Sequence, residues 1–98
     1  MSADQLEWLD GALPDLGNPV VCVHHNLSRL PEVAAFEGYP WKWYPLLNAD
    51  ELVEVLVAHD VPLVLSGHHH LPATSLSQGV REVVAPATCS FPQAYLLV

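Results

Sequence analysis

Leu6, Leu9 and Leu13 recur at intervals of three and four, and Ser2 with Gln5 ahead of them supplies a capping box. That spacing predicts an amphipathic helix over residues 3 to 13. Pro14 and the run Gly17-Asn18-Pro19 end it. Val20 to Val23 is an unbroken apolar run, the pattern of a short strand covered on both faces. Residues 26 to 47 carry no clear period. Pro31, Gly38, Pro40 and Pro45 punctuate them around Tyr39, Trp41, Trp43 and Tyr44, and a loop of this length in a small domain reads as functional. Asn48 with Glu51 offers a second cap, after which Leu52, Val55, Leu56 and His59 share one helix face. Pro62-Leu63-Val64-Leu65 is a second buried strand, stopped by Ser66-Gly67, and further strand candidates lie near 74 to 77, 81 to 85 and 94 to 98. The alternation of helix and strand predicts an α/β fold whose later strands pair antiparallel.

Composition sharpens this picture in two places. Hydrophobic residues make up 51% of only 98, more apolar surface than so short a chain readily covers, so a piece of a larger domain is expected. Eleven acidic residues stand against 3 basic ones, a formal charge of -8, and no basic stripe is present to track a nucleic-acid backbone or an anionic lipid surface. DNA or RNA groove binding and membrane association are therefore not expected. No stretch has the length of a membrane span, and Met1-Ser2-Ala3-Asp4-Gln5 lacks the pattern of a secretion signal, so a cytoplasmic location is expected. Cys22 and Cys89 form no C-x-x-C pair, and Cys22, inside an apolar run, reads as a small buried hydrophobe.

The chemistry lies in the histidines. His24 and His25 follow directly on the first predicted strand, while His68, His69 and His70 follow the second, after Gly67. Open α/β sheets assemble their sites at the carboxyl ends of strands. In an extended segment His68 and His70 share one face and His69 the other, and Gly67 leaves room for a sharp turn or a close approach. Neutral imidazole ligates Zn, Mn, Fe, Co and Ni, so His24, His68 and His70 are the candidate metal ligands. On the residues alone, hydrogen-bonded core histidines stay open as the alternative. His59, on a helix face, takes that plainer reading.

Val20-Val21-Cys22-Val23-His24-His25 resembles the strand that ends in a metal-binding histidine in the calcineurin-like metallophosphoesterases, and Gly67-His68-His69-His70 matches that family's Gly-His-x-His motif. The helix Asn48 to His59, the segment Gln5 to Leu9 and the tail Ala85-Pro86-Ala87-Thr88-Cys89-Ser90 resemble the branch related to class III cyclic nucleotide phosphodiesterases. The resemblance implies the carboxyl-terminal half of a four-layer αββα sandwich, residues 1–98 being a partial phosphoesterase domain. By the same resemblance, His24 and His68 would bind one divalent ion and His70 a second, with His25 and His69 as cleft-lining candidates for catalysis. The family's first half supplies Asp-x-His, Gly-Asp and Gly-Asn-His-Asp or Glu motifs, and none of these stands in this sequence.

The activity implied is hydrolysis of a phosphodiester or phosphomonoester by a water activated between two divalent metals (Mn, Fe, Zn, Co or Ni). The substrate would be a small phosphate ester, nucleotides included, and the partner a second copy of the chain or a complementing amino-terminal half. Two other readings stand beside it: a non-catalytic module holding a single zinc, and a remnant that folds only with a partner chain. The aromatic segment from Phe36 to Tyr44 either packs against the sheet or a partner, the favoured reading, or stacks on a nucleoside base, with Lys42 available to a phosphate.

Overall fold

The structure is a computed structural model that describes residues 1–28, 30, 45–89 and 93–97. Helix α1 (Ala3–Ala12) starts at Ser2, whose hydroxyl accepts from the Gln5 amide at 3.2 Å while the Gln5 side chain accepts from the Ser2 N–H at 2.8 Å. Both halves of the predicted box are therefore formed, and they satisfy two N–H groups that the helix cannot pair itself. Pro14 turns the chain into a short 3-10 segment, Leu13–Asp15. Strand β1 (Val21–Cys22), helix α2 (Ala49–Ala58), and strands β2 (Leu63–Ser66), β3 (Ala73–Ser77) and β4 (Val80–Val84) follow.

The four strands form one sheet in the order β1-β2-β4-β3. Strand β2 runs parallel to both β1 and β4, and β3 pairs antiparallel with β4. The β3–β4 turn has Gln78 at φ 50° and Gly79 at φ 88°. Two central residues with positive φ match the twist of a two-residue hairpin, and glycine takes that conformation without steric cost. Among the described residues the fold is thus a small mixed α/β arrangement of two helices and a four-stranded sheet.

Register decides which side chains meet. Val21, Val64, Glu82 and Ser75 stand in one row across the sheet, and with Ser66, Val80, Val84 and Ala73 they occupy one face. Helices α1 and α2 lie over that face: Leu6, Leu9 and Leu13 of the first helix and its 3-10 extension join Leu52, Val53 and Leu56 of the second in a core with Val21, Val61, Val64 and Val80. Leu52, Leu56 and Val64 are completely buried. The segment after β1 covers the remainder of the face, where Leu30 packs with Ala73 and Val84. His59 donates from Nε2 to the Asp10 carboxylate at 2.7 Å and ties the two helices together. It is hydrogen-bonded and half-buried, as the plainer reading expects.

The opposite face carries Cys22, Leu63, Leu65, Val83 and Leu76, none of them buried. This corrects two expectations. The first strand is covered on one face only, and Cys22 is exposed, because the period of two turns it away from the helices. Asn48 occupies the N-cap position of α2 but makes no capping bond, since its amide is engaged with the Met1 ammonium and carbonyl at 3.2 and 3.0 Å. Residues 93–97 form no strand, so the candidate at 94 to 98 is not found among the described residues. The aromatic segment around Trp41 and Trp43 lies outside the described residues. Among the described residues no helix is long and apolar enough to cross a membrane.

Candidate metal centre

Adjacent parallel strands end side by side, so whatever follows β1 meets whatever follows β2. The ladder continues past both strands: the Val23 N–H donates to the Leu65 carbonyl at 2.9 Å and the Gly67 N–H to the His24 carbonyl at 3.1 Å. These bonds bring His24 and His25 against Gly67 and His68. One ring nitrogen from each of His24, His25 and His68 lies within 4.8 Å of the others. His68 Nδ1 stands 3.2 Å from His24 Nε2. The pair is within hydrogen-bonding distance, and a tetrahedral ion with bonds of about 2.0–2.1 Å would hold its donors at a similar separation, about 3.3 Å. The His25 and His68 ring centroids are 4.5 Å apart, and the His24 ring lies 4.9 Å from the first and 5.1 Å from the second.

His68 owes its position to an unusual backbone. The His69 N–H donates to the Gly67 carbonyl at 2.8 Å and closes a three-residue turn centred on His68 at φ 69°. His70 is also left-handed, at φ 61°. Left-handed geometry is uncommon outside glycine and costs about 1–3 kcal/mol for such residues, which is why it concentrates at functional sites. The segment is therefore not extended, so the alternation expected to put His68 and His70 on one face does not apply. His70 is exposed and outside the three-histidine group, whereas His25 is within it. Gly67 is also not where the constraint falls: its φ is ordinary, and an added Cβ would meet only the His24 carbonyl, at 4.0 Å.

His69 is buried, at 8% exposure, with its ring 5.1 Å from that of His68. His24 and His25 are exposed and His68 half-buried, which leaves the cluster open to solvent. Desolvation first, then the imidazoles of His25, His69, His24 and His70, holds His68 below the ordinary histidine pKa. Crowding of this kind favours the neutral ring, the form that ligates a cation.

One group near the centre was not anticipated from the sequence. Glu82 is 1% exposed, and its carboxylate accepts from the Leu27 N–H at 2.8 Å, the Ser66 hydroxyl at 2.6 Å and the Ser75 hydroxyl at 2.9 Å. The alternation Val80-Arg81-Glu82-Val83-Val84 contains the signal, since an acidic residue there shares the inward face with two buried valines. Asn26, also fully buried, donates from Nδ2 to the Ser28 carbonyl, and its backbone carbonyl accepts from the Leu46 N–H at 2.8 Å.

Searches against protein-family models and against curated proteins found no match to this chain.

Proposed function

We propose that this chain carries the histidine half of a metal-dependent phosphoesterase centre of the calcineurin-like kind. The observation that carries the reading is the meeting of His24, His25 and His68 at the ends of two parallel strands, with one donor pair at 3.2 Å. His24 Nε2 and His68 Nδ1 would hold a divalent cation, with His25 as the third donor or as a proton carrier facing the same opening. Held there, the cation supplies Lewis acidity toward a phosphate oxygen and makes a water ligand more acidic. The chain's own contribution is to present the three imidazoles, with burial and its neighbours favouring the neutral form of His68, and to leave the centre open to a substrate. A formal charge of -8 repels anionic esters, so local positive charge at this point is what would draw one in.

In this reading the two helices and the sheet are one half of the four-layer sandwich. The open face bearing Leu63, Leu65 and Val83 is where a second sheet would pack, and a complementing half would bring the carboxylates of a two-metal site. The substrate class is a small phosphate ester, diester before monoester. His70, exposed beside the cluster, would serve the second ion only after the turn at His68 rearranges.

A single-ion module is the second reading, and one observation favours it: among the described residues the metal-competent group holds three imidazoles and no carboxylate. Manganese and zinc binding to the purified chain, with hydrolysis of an aryl phosphodiester followed alongside, separates the two. Hydrolysis that requires the metal and disappears in His68→Ala supports the phosphoesterase. One bound ion per chain, lost in His24→Ala and His68→Ala, with no hydrolysis even when an amino-terminal half is supplied, supports the module. A chain that binds neither metal sinks both.

A further inference from the structure

We infer that Glu82 is a positioning residue for the histidine centre, a buried carboxylate that ties the turn after β1 to the end of β2 and thereby sets the approach of His24 to His68. The sheet position does not itself call for an acid, because Val80 and Val84 fill the same face of β4 and are buried. Taking a carboxylate out of water is costly unless donors replace the lost solvent. Here the donors come from both histidine-bearing segments. Leu27 lies just beyond His24-His25 and gives its N–H at 2.8 Å, while Ser66 lies just before Gly67-His68 and gives its hydroxyl at 2.6 Å. Ser75 at 2.9 Å anchors the same carboxylate to β3. Hydrogen bonds to an ionised acceptor are roughly twice as strong as neutral ones, so the three together define where both segments sit.

The geometry separates this brace from ordinary strand pairing. The Val23–Leu65 and Gly67–His24 backbone bonds join the two segments within the plane of the sheet. Glu82 joins them on the helix side of that plane. A hold at two levels fixes rotation as well as separation, and rotation decides whether His68 Nδ1 and His24 Nε2 aim at a common point 3.2 Å apart. With the carboxylate absent, the in-plane bonds remain but the turns are free to tilt about them.

This inference rests on the metal reading for its function, and the test keeps the two apart. Cobalt(II) titrations followed by visible absorption are run on the whole chain as wild type, Glu82→Leu, Glu82→Gln, Ser66→Ala and Val80→Ala, with ring-to-ring NOEs between His24 and His68 recorded on each. Glu82→Leu is expected to weaken cobalt binding about tenfold or more, the scale seen when partners that orient metal ligands are removed, and to lose the NOE. Glu82→Gln, whose oxygen still accepts from Leu27 and Ser66, restores most of the affinity. Ser66→Ala weakens it at unchanged helix content, which keeps the test open should Glu82→Leu not fold. Val80→Ala, destabilised in urea on the same strand, binds as wild type does. Unchanged cobalt affinity in Glu82→Leu and Ser66→Ala, or an equal loss in Val80→Ala, overturns the brace. If the wild type binds no cobalt, the metal reading falls, and the NOE alone decides: its survival in Glu82→Leu overturns the brace.

Discussion

At His68 two constraints meet: a left-handed backbone at φ 69° and a ring crowded by four other imidazoles. Desolvation of the ring first, and that crowding second, lower the His68 pKa, with a definite pH consequence. The folded chain releases the His68 proton more readily than the unfolded chain, so the unfolded state binds more protons across the window between the two values. The contribution of His68 to stability is fully present above the ordinary histidine pKa, declines as pH falls through it, and levels off below the folded-state value. Two-dimensional NMR of the imidazoles should place the His68 midpoint below about 6.5, and a midpoint above it would contradict the desolvation and crowding of this ring. That the histidines after the two apolar strands would approach one another was legible in the sequence, because the ends of neighbouring parallel strands lie side by side. The grouping of His25, rather than His70, with His24 and His68 was not, since alternation assumes an extended chain and the turn at His68 is not extended. Glu82 lay in plain view between two inward valines, yet an acid on a strand reads as solvent-facing until its partners Leu27, Ser66 and Ser75 are known.

Among the elements, the β3–β4 hairpin has the tightest local demand. Gly79 sits at φ 88°, where a Cβ costs about 1–2 kcal/mol, and nothing near it would compensate. Gly79→Ala should lower the stability measured by urea unfolding by about that amount. Gln78→Asn, at φ 50°, should hold or raise stability, since asparagine before glycine suits this turn. Equal effects from both substitutions would count against the assigned turn. The α1 capping box, the limits of α2 and the pairing of 74–77 with 81–85 all follow from local pattern, and the structure forms each nearly where expected. Less local features escaped. An apolar run such as Val20–Val23 cannot say how many faces will be covered, and so Cys22 emerged exposed. Asn48 has the right chemistry for a cap, but Met1 competes for its amide and wins.

For the molecule as a whole, the proposed metal reading links cation binding to stability, because a centre assembled from His24, His25 and His68 exists only in the folded state. At a hundredfold excess over Kd a bound ion adds about 2.7 kcal/mol, which for a domain of this size raises Tm by roughly 10–20 °C. Thermal unfolding with zinc or manganese should show that rise, chelation should reverse it, and His24→Ala should abolish it. With a formal charge of -8, general screening also stabilises the fold, so magnesium at equal ionic strength is the control. A rise of the same size with magnesium, or in His24→Ala, would assign the effect to screening.

The parallel pairing of β1 with β2 has a kinetic consequence. The β3–β4 hairpin closes through a two-residue turn, an event of microseconds. His24 and His68 are separated by 44 positions along the chain, and joining their strands must first overcome the entropy of a long loop, which makes such contacts late. The centre therefore matures after the hairpin and the helices. A nascent chain can look largely ordered by its backbone signal while His24 and His68 are still apart, and on the proposed metal reading ion capture would come last.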